Sequence, residues 1–153
     1  MRDTLLTLHI LAAGAWFGTN VVSVLVNPRI NPNARAIASD AWHHFVVRIK
    51  QRYIYTPAQL SVLITGVLLV TEVEDAPFEM SDTFVLIGLL AVLAGAVLGE
   101  IYVAHQSRKV AAAYETGDMQ AVASIEQKLA IASLVDMAVV VVAVVAMVST
   151  WGV

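Results

Sequence analysis

Apolar positions in this chain gather into four long runs, and charged and turn-forming residues collect between them. The runs cover about 4–26, 53–71, 83–104 and 129–150. Each meets the length of about 20 residues that a helix needs to cross a bilayer core. The pattern predicts an all-α protein, an integral membrane four-helix bundle, with residues 1–153 forming one transmembrane domain. Ala13-Gly14-Ala15 resembles a signal-peptide cleavage site, but apolar character continues to Val26 and only Arg2 stands before it beside Asp3. The first run therefore reads as a retained span.

Composition agrees with the pattern. Of 153 residues, 59% are hydrophobic and 14% charged, with mean hydropathy +0.77; soluble domains carry about 25% charged residues. The absence of cysteine excludes disulfides and thiolate metal sites. No basic stripe interleaved with aromatics points to nucleic acid. No nucleophile–base set, phosphate loop or metal motif supports a hydrolase.

Charge sorts the connections. The 27–52 loop holds Arg29, Arg35, Arg48, Lys50 and Arg52, and the 105–128 loop holds Arg108, Lys109 and Lys128. The 72–82 loop holds Glu72, Glu74, Asp75, Glu79 and Asp82, with no Lys or Arg. Basic loops stay in the cytoplasm, so both long loops are expected inside, with the acidic loop and both termini outside. Trp42, Tyr53, Tyr55 and Tyr102 then fall near the inner interface, and Phe78, Phe84 and Trp151 near the outer one, as aromatic belts do. Asn31-Pro32-Asn33 signals a helix start within the first inner loop, and Gly117-Asp118 a break within the second. Each loop is expected to hold a short helix at the membrane surface. Gly14-x-x-x-Gly18 and Gly95-x-x-x-Gly99 occupy matching places in the two halves. They are compatible with two parallel-duplicated helical hairpins, and they allow close helix approach within the bundle or between copies.

Polar residues in hydrocarbon are costly, so they carry the functional signal. His9, Ala13, Trp16, Asn20, Ser23 and Asn27 recur at steps of three and four, which puts them on one face of the first helix. Asp136 lies about 10 Å, and Glu100 about 6 Å, inside the inner ends of their spans. With Asn20, Asn27 and Gln59 they are expected at one cytoplasm-facing site, with Arg48 and Arg52 at its rim. That site reads as a proton or ion relay or a ligand pocket. The plainer reading pairs Glu100 with a loop arginine and uses Asp136 as interhelical glue.

His9 lies about 7 Å from the outer end of the first span. It is a candidate haem or metal ligand, or a core histidine bonded to Glu72 or a carbonyl. Met147 falls at similar depth, as an axial partner or as packing. His43, His44 and His105 sit at the inner side and read as solvated.

The order Leu8-His9-Ile10-Leu11, Trp16-Phe17-Gly18, Arg52, Pro57, Leu63–Val70, Ile87-Gly88-Leu89, Gly95, Gly99, Arg108-Lys109, Asp136 and Met147 resembles a bacterial family of four-span membrane proteins of unknown function. That resemblance implies the fold and a bacterial cytoplasmic membrane, and no activity. His9 followed by Trp16 also resembles the opening of the membrane protoporphyrinogen oxidases of the haem pathway, with Asn27-Pro28-Arg29-Ile30 loosely like the Pro-Arg that follows there. This implies haem b on His9. The histidine-rich continuation and an intramembrane lysine in the third span are missing, so the oxidase activity is not implied. The copper-resistance D membrane family shares the same opening, without counterparts here for its copper-handling histidines and methionines.

Three functions follow as expectations. The first is a bundle that binds a ligand at His9, Trp16, Asn20, Glu100 and Asp136, with haem b on His9 and a redox role. The second is a proton- or ion-coupled transporter using the carboxylates. The third is a non-catalytic subunit or scaffold. The expected partners are the lipid bilayer and a second copy or a membrane complex.

Overall fold

In a computed structural model, residues 1–26, 46–73 and 78–149 are described, the side chains of 46–48 excepted. Asn27, Arg29, Asn31-Pro32-Asn33, Arg35, Trp42, His43, His44, Glu74, Asp75, Thr150 and Trp151 lie outside them, as does the Arg48 side chain.

All regular structure among the described residues is helical. Helix α1 is Arg2–Val26. Helix α2 opens with wide π turns over Val46–Tyr55 and continues as Thr56–Thr71. Helix α3 runs Thr83–Ala96, widens into π turns over Val97–Val103, and continues as Ala104–Thr116. Helix α4 is Met119–Val148. All four are long and apolar enough to cross a membrane. The expected four-helix, all-α bundle is what forms, and the chain reads as a multi-pass membrane protein.

Each helix buries a narrow stripe and leaves a broad aliphatic surface. Trp16, Tyr55, Ala58, Val62, Ala91 and Val140 belong to the central cluster. Leu11, Leu60, Ile64, Leu90, Leu93 and Ile101 are each more than half exposed. A soluble monomer does not expose so continuous an apolar surface; in lipid it costs nothing, because acyl chains are as apolar as leucine.

The second inner loop differs from expectation. It holds no separate short helix: α3 runs unbroken to Thr116, and α4 starts at Met119. No residue between Ala104 and Thr116 breaks a helix, and the sequence there is alanine-rich, so the helix simply extends. At about 1.5 Å per residue, α3 and α4 outrun a core of about 30 Å. Gly117-Asp118 makes the turn as predicted. Gly117 adopts φ 72°, and the Asp118 side chain accepts from the Ala121 backbone N–H at 3.0 Å.

The two glycine pairs also part company. A Cβ on Gly95 would strike Trp16 and Gln59, and one on Gly99 would strike the Tyr55 ring, so these glycines admit α2 and α1 to α3. A Cβ on Gly14 or Gly18 would meet nothing within 4 Å. Both halves are helical hairpins, but their equivalent glycines do not do equivalent work.

Candidate functional site: a buried carboxylate and an outer cavity

The stripe on α1 that spacing predicts is the buried one. Trp16, Thr19, Asn20 and Ser23 are buried, and they meet α2, α3 and α4 at one polar centre. That centre is built on Asp136, which is only 3% exposed. Its Oδ2 accepts from three donors: Asn20 Nδ2 at 2.7 Å, Tyr55 hydroxyl at 2.6 Å and Trp16 Nε1 at 3.2 Å. Its Oδ1 is buried with no hydrogen-bond partner.

The Tyr55 hydroxyl is the junction. It lies 2.9 Å from the Gly95 carbonyl as well as 2.6 Å from Asp136, and Gln59 Nε2 donates to it at 3.3 Å. Gly95 stands just ahead of the π segment that starts at Val97; π turns interrupt regular helix bonding and recur at functional sites. The Trp16 and Tyr55 rings meet edge to face, with centroids 6.3 Å apart, and wall the centre off.

Sequence reasoning placed Lys50 among the loop cations and Tyr55 in an aromatic belt. Both placements are corrected: Lys50 is 6% exposed and Tyr55 2%. Lys50 Nζ donates to the Ser23 hydroxyl and lies 3.4 Å from the Thr19 carbonyl, within Coulombic reach of Asp136. The reason is that α2 begins before residue 53, so Lys50, Gln51 and Tyr55 enter the bundle as helix residues. One signal was present. Tyr55, Gln59, Val62 and Gly66 recur at steps of four, three and four, the same rhythm as the α1 stripe.

Glu100 does not join this centre. It is exposed on α3, where it accepts from Gln51 Nε2 at 3.1 Å and from the Thr56 hydroxyl. No arginine pairs with it among the described residues, and Arg52 is exposed. Of the residues expected to converge, Asn20, Gln59 and Asp136 meet and Glu100 does not, Asn27 lies outside the described residues, and Trp16 joins the centre as well. Glu100 follows Gly99 and is turned about a quarter of the way around the helix from the face that Gly95 and Gly99 press against α1 and α2.

His9 stands apart, two helical turns from Trp16 toward the start of α1. Its Nδ1 lies 2.9 Å from the Thr65 hydroxyl on α2, not against Glu72. It lines a cavity of about 190 Å³ with Arg2, Phe84, Gly88, Val92 and Met147. His9 and Met147 thus share one cavity, as their depths predicted. Haem b does not fit it: an engineered cavity of about 150 Å³ holds one benzene, and a porphyrin is four pyrrole rings in a plane. Nor do the described residues hold a group of three His, Cys, Asp or Glu that could share a metal. His105 is exposed.

No protein-family model, curated protein or solved structure matches this chain.

Proposed function

We propose that this chain is a proton-coupled membrane permease of the bacterial cytoplasmic membrane, with Asp136 as its proton carrier and both termini outside. The observation that supports it is the Asp136 centre. A carboxylate at that depth is costly and marks ion or proton pathways. This one concentrates three donors on one oxygen and leaves the other bare.

The centre accommodates a proton without moving a heavy atom. With Asp136 ionised, the Tyr55 hydroxyl donates to Oδ2. With Asp136 protonated on Oδ2, that proton is donated to the Tyr55 oxygen, and the Tyr55 proton turns to the Gly95 carbonyl. A tyrosine oxygen accepts two hydrogen bonds, so it takes one from Asp136 and one from Gln59 Nε2. In each state the Tyr55 proton and the Gln59 amide keep a partner, and the Gly95 carbonyl gains the Tyr55 proton only when Asp136 is protonated. The states differ in charge, and Lys50 feels the difference. Beside ionised Asp136 its ammonium has a counter-charge; beside the neutral acid it does not, and a buried unpaired ammonium is drawn toward water. Lys50 thereby couples proton binding to movement at the inner end of α2. The titratable groups at the centre besides Asp136 are Lys50 and Tyr55 from α2, with exposed Glu100 on α3 only within Coulombic reach of Tyr55; α1 supplies Trp16, Thr19, Asn20 and Ser23, which do not titrate.

Orientation rests on the arginine and lysine of the 27–52 and 105–128 loops. Contacts between copies would use Gly14 and Gly18, the pair with open space beside it.

The test is infrared difference spectroscopy of the reconstituted protein across the physiological pH range, with proton flux into dye-loaded vesicles. A carboxylic acid band that titrates and vanishes in Asp136→Asn, together with loss of flux in the folded variant, is the expected result. The same bonds tie four helices together, which favours a second reading: a purely structural clasp. In that case no band titrates, flux is absent from the wild type, and Asp136→Asn lowers only stability.

A further inference from the structure

We infer that the cavity at the outer end of the bundle binds a lipid-soluble phenol, a single aromatic ring whose one hydroxyl donates to Nε2 of His9. This site does not depend on the Asp136 proton and lies about 10 Å along α1 from Trp16, toward the end that carries Arg2.

Hydrogen positions around His9 follow from its neighbours. The Thr65 hydroxyl has one proton, and it donates to the Ser61 carbonyl at 2.5 Å. Thr65 Oγ1 is therefore an acceptor toward His9, and His9 Nδ1 must carry the proton that bridges the 2.9 Å between them. A neutral imidazole protonated on Nδ1 offers a lone pair on Nε2. Thr65 is the one side chain hydrogen-bonded to the ring among the described residues, and it takes Nδ1, which with Cε1 is the ring edge nearest Gly66 on α2.

Gly66 makes room for this ring. A Cβ there would sit 3.2 Å from His9 Cε1, tighter than a relaxed contact. The glycine lets the imidazole lie against α2 and face the cavity it lines.

The space and its walls choose the occupant. About 190 Å³ is the size of one substituted ring. The walls are aliphatic and aromatic, with Leu63, Val67, Val92 and Met147 among them. Phe78 and Phe84 both line the cavity and pair edge to face at 5.1 Å, a geometry that a third ring extends. Arg2, the remaining polar residue of the lining, is exposed and only donates. His9 is thus the one side-chain nitrogen acceptor in an apolar chamber. A hydroxyl satisfies it; a second ring hydroxyl would be buried with a proton and no acceptor, which is costly. The cavity lies between helices that face lipid, so the ligand reaches it from the bilayer.

The experiment uses the full-length protein in nanodiscs with ¹⁵N-labelled histidine, titrated with 4-propylphenol, propylbenzene and propylhydroquinone. 4-Propylphenol is expected to move the unprotonated ring-nitrogen signal of His9 and to bind about tenfold more tightly than propylbenzene, one hydrogen bond's difference. His9→Leu should make the two ligands equal. Leu63→Trp, which fills the ring space and leaves His9 in place, should lose both. Equal binding of phenol and propylbenzene to the wild type overturns the assignment, and so does binding of neither to folded protein. Tighter binding of propylhydroquinone overturns the single hydroxyl.

Discussion

Tyr55 carries as much of the buried network as Asp136 does, because one hydroxyl lies within hydrogen-bond distance of Asp136, Gly95 and Gln59. Tyr55→Phe removes it and leaves the Gly95 carbonyl and the Gln59 amide short of a partner. Such losses cost about 1–2 kcal/mol in a membrane interior. A lower unfolding midpoint in detergent is the expected outcome, with the carboxyl band of Asp136 displaced because its nearest donor is gone. Glu100 behaves oppositely. It is exposed and bonded only to Gln51 and Thr56, so Glu100→Gln should leave both the midpoint and proton flux near wild type. A flux as low as that of Asp136→Asn would mean that Glu100 belongs to the pathway after all.

Glycine separates the helices by role. Gly95→Leu drives a side chain into Trp16 and Gln59. Overpacking of this kind costs about 1–3 kcal/mol or more, and here it also pries α3 from the Asp136 centre, so loss of folded protein is expected. Gly14→Leu and Gly18→Leu meet open space and should leave the monomer's midpoint unchanged. If they abolish crosslinking between copies in native membranes, α1 supplies the contact between protomers. At the turn between α3 and α4, Gly117 has φ 72°, a conformation that costs an L side chain about 1–2 kcal/mol. Gly117→Ala should therefore lower the midpoint, and Asp118→Ala should add about 1 kcal/mol through loss of the cap.

The molecule as a whole is a bundle with an aliphatic outer surface around two polar features, the Asp136 centre near its middle and the His9 cavity about two helical turns away. Its orientation is open to a clean measurement, because the chain has no cysteine and hence no labelling background. Cysteines introduced at Glu115, on the inner tip, and at Met80, by the acidic turn, occupy exposed positions. An impermeant maleimide applied to spheroplasts should label Met80→Cys and spare Glu115→Cys. The reverse pattern would invert the orientation and put the Lys50 end of the bundle outside.

Four helices follow from the sequence by itself, because lipid requires every backbone group to be satisfied within its own span and so makes apolar run length decisive. The buried stripe of α1 and the special status of Asp136 follow for the same reason: polar residues in hydrocarbon must turn inward. The Gly117-Asp118 turn is legible because its chemistry is local. Only the tertiary structure decided which polar groups meet. Lys50 and Tyr55 look like boundary residues until the start of α2 is known. Glu100 looks like a partner of Asp136 until its helical phase is set by where Gly95 and Gly99 touch α1 and α2. His9 looks like a haem ligand until the space beside it is measured. These depend on helix register and interhelical distance, which side chains from all four helices settle jointly and no single run of residues encodes.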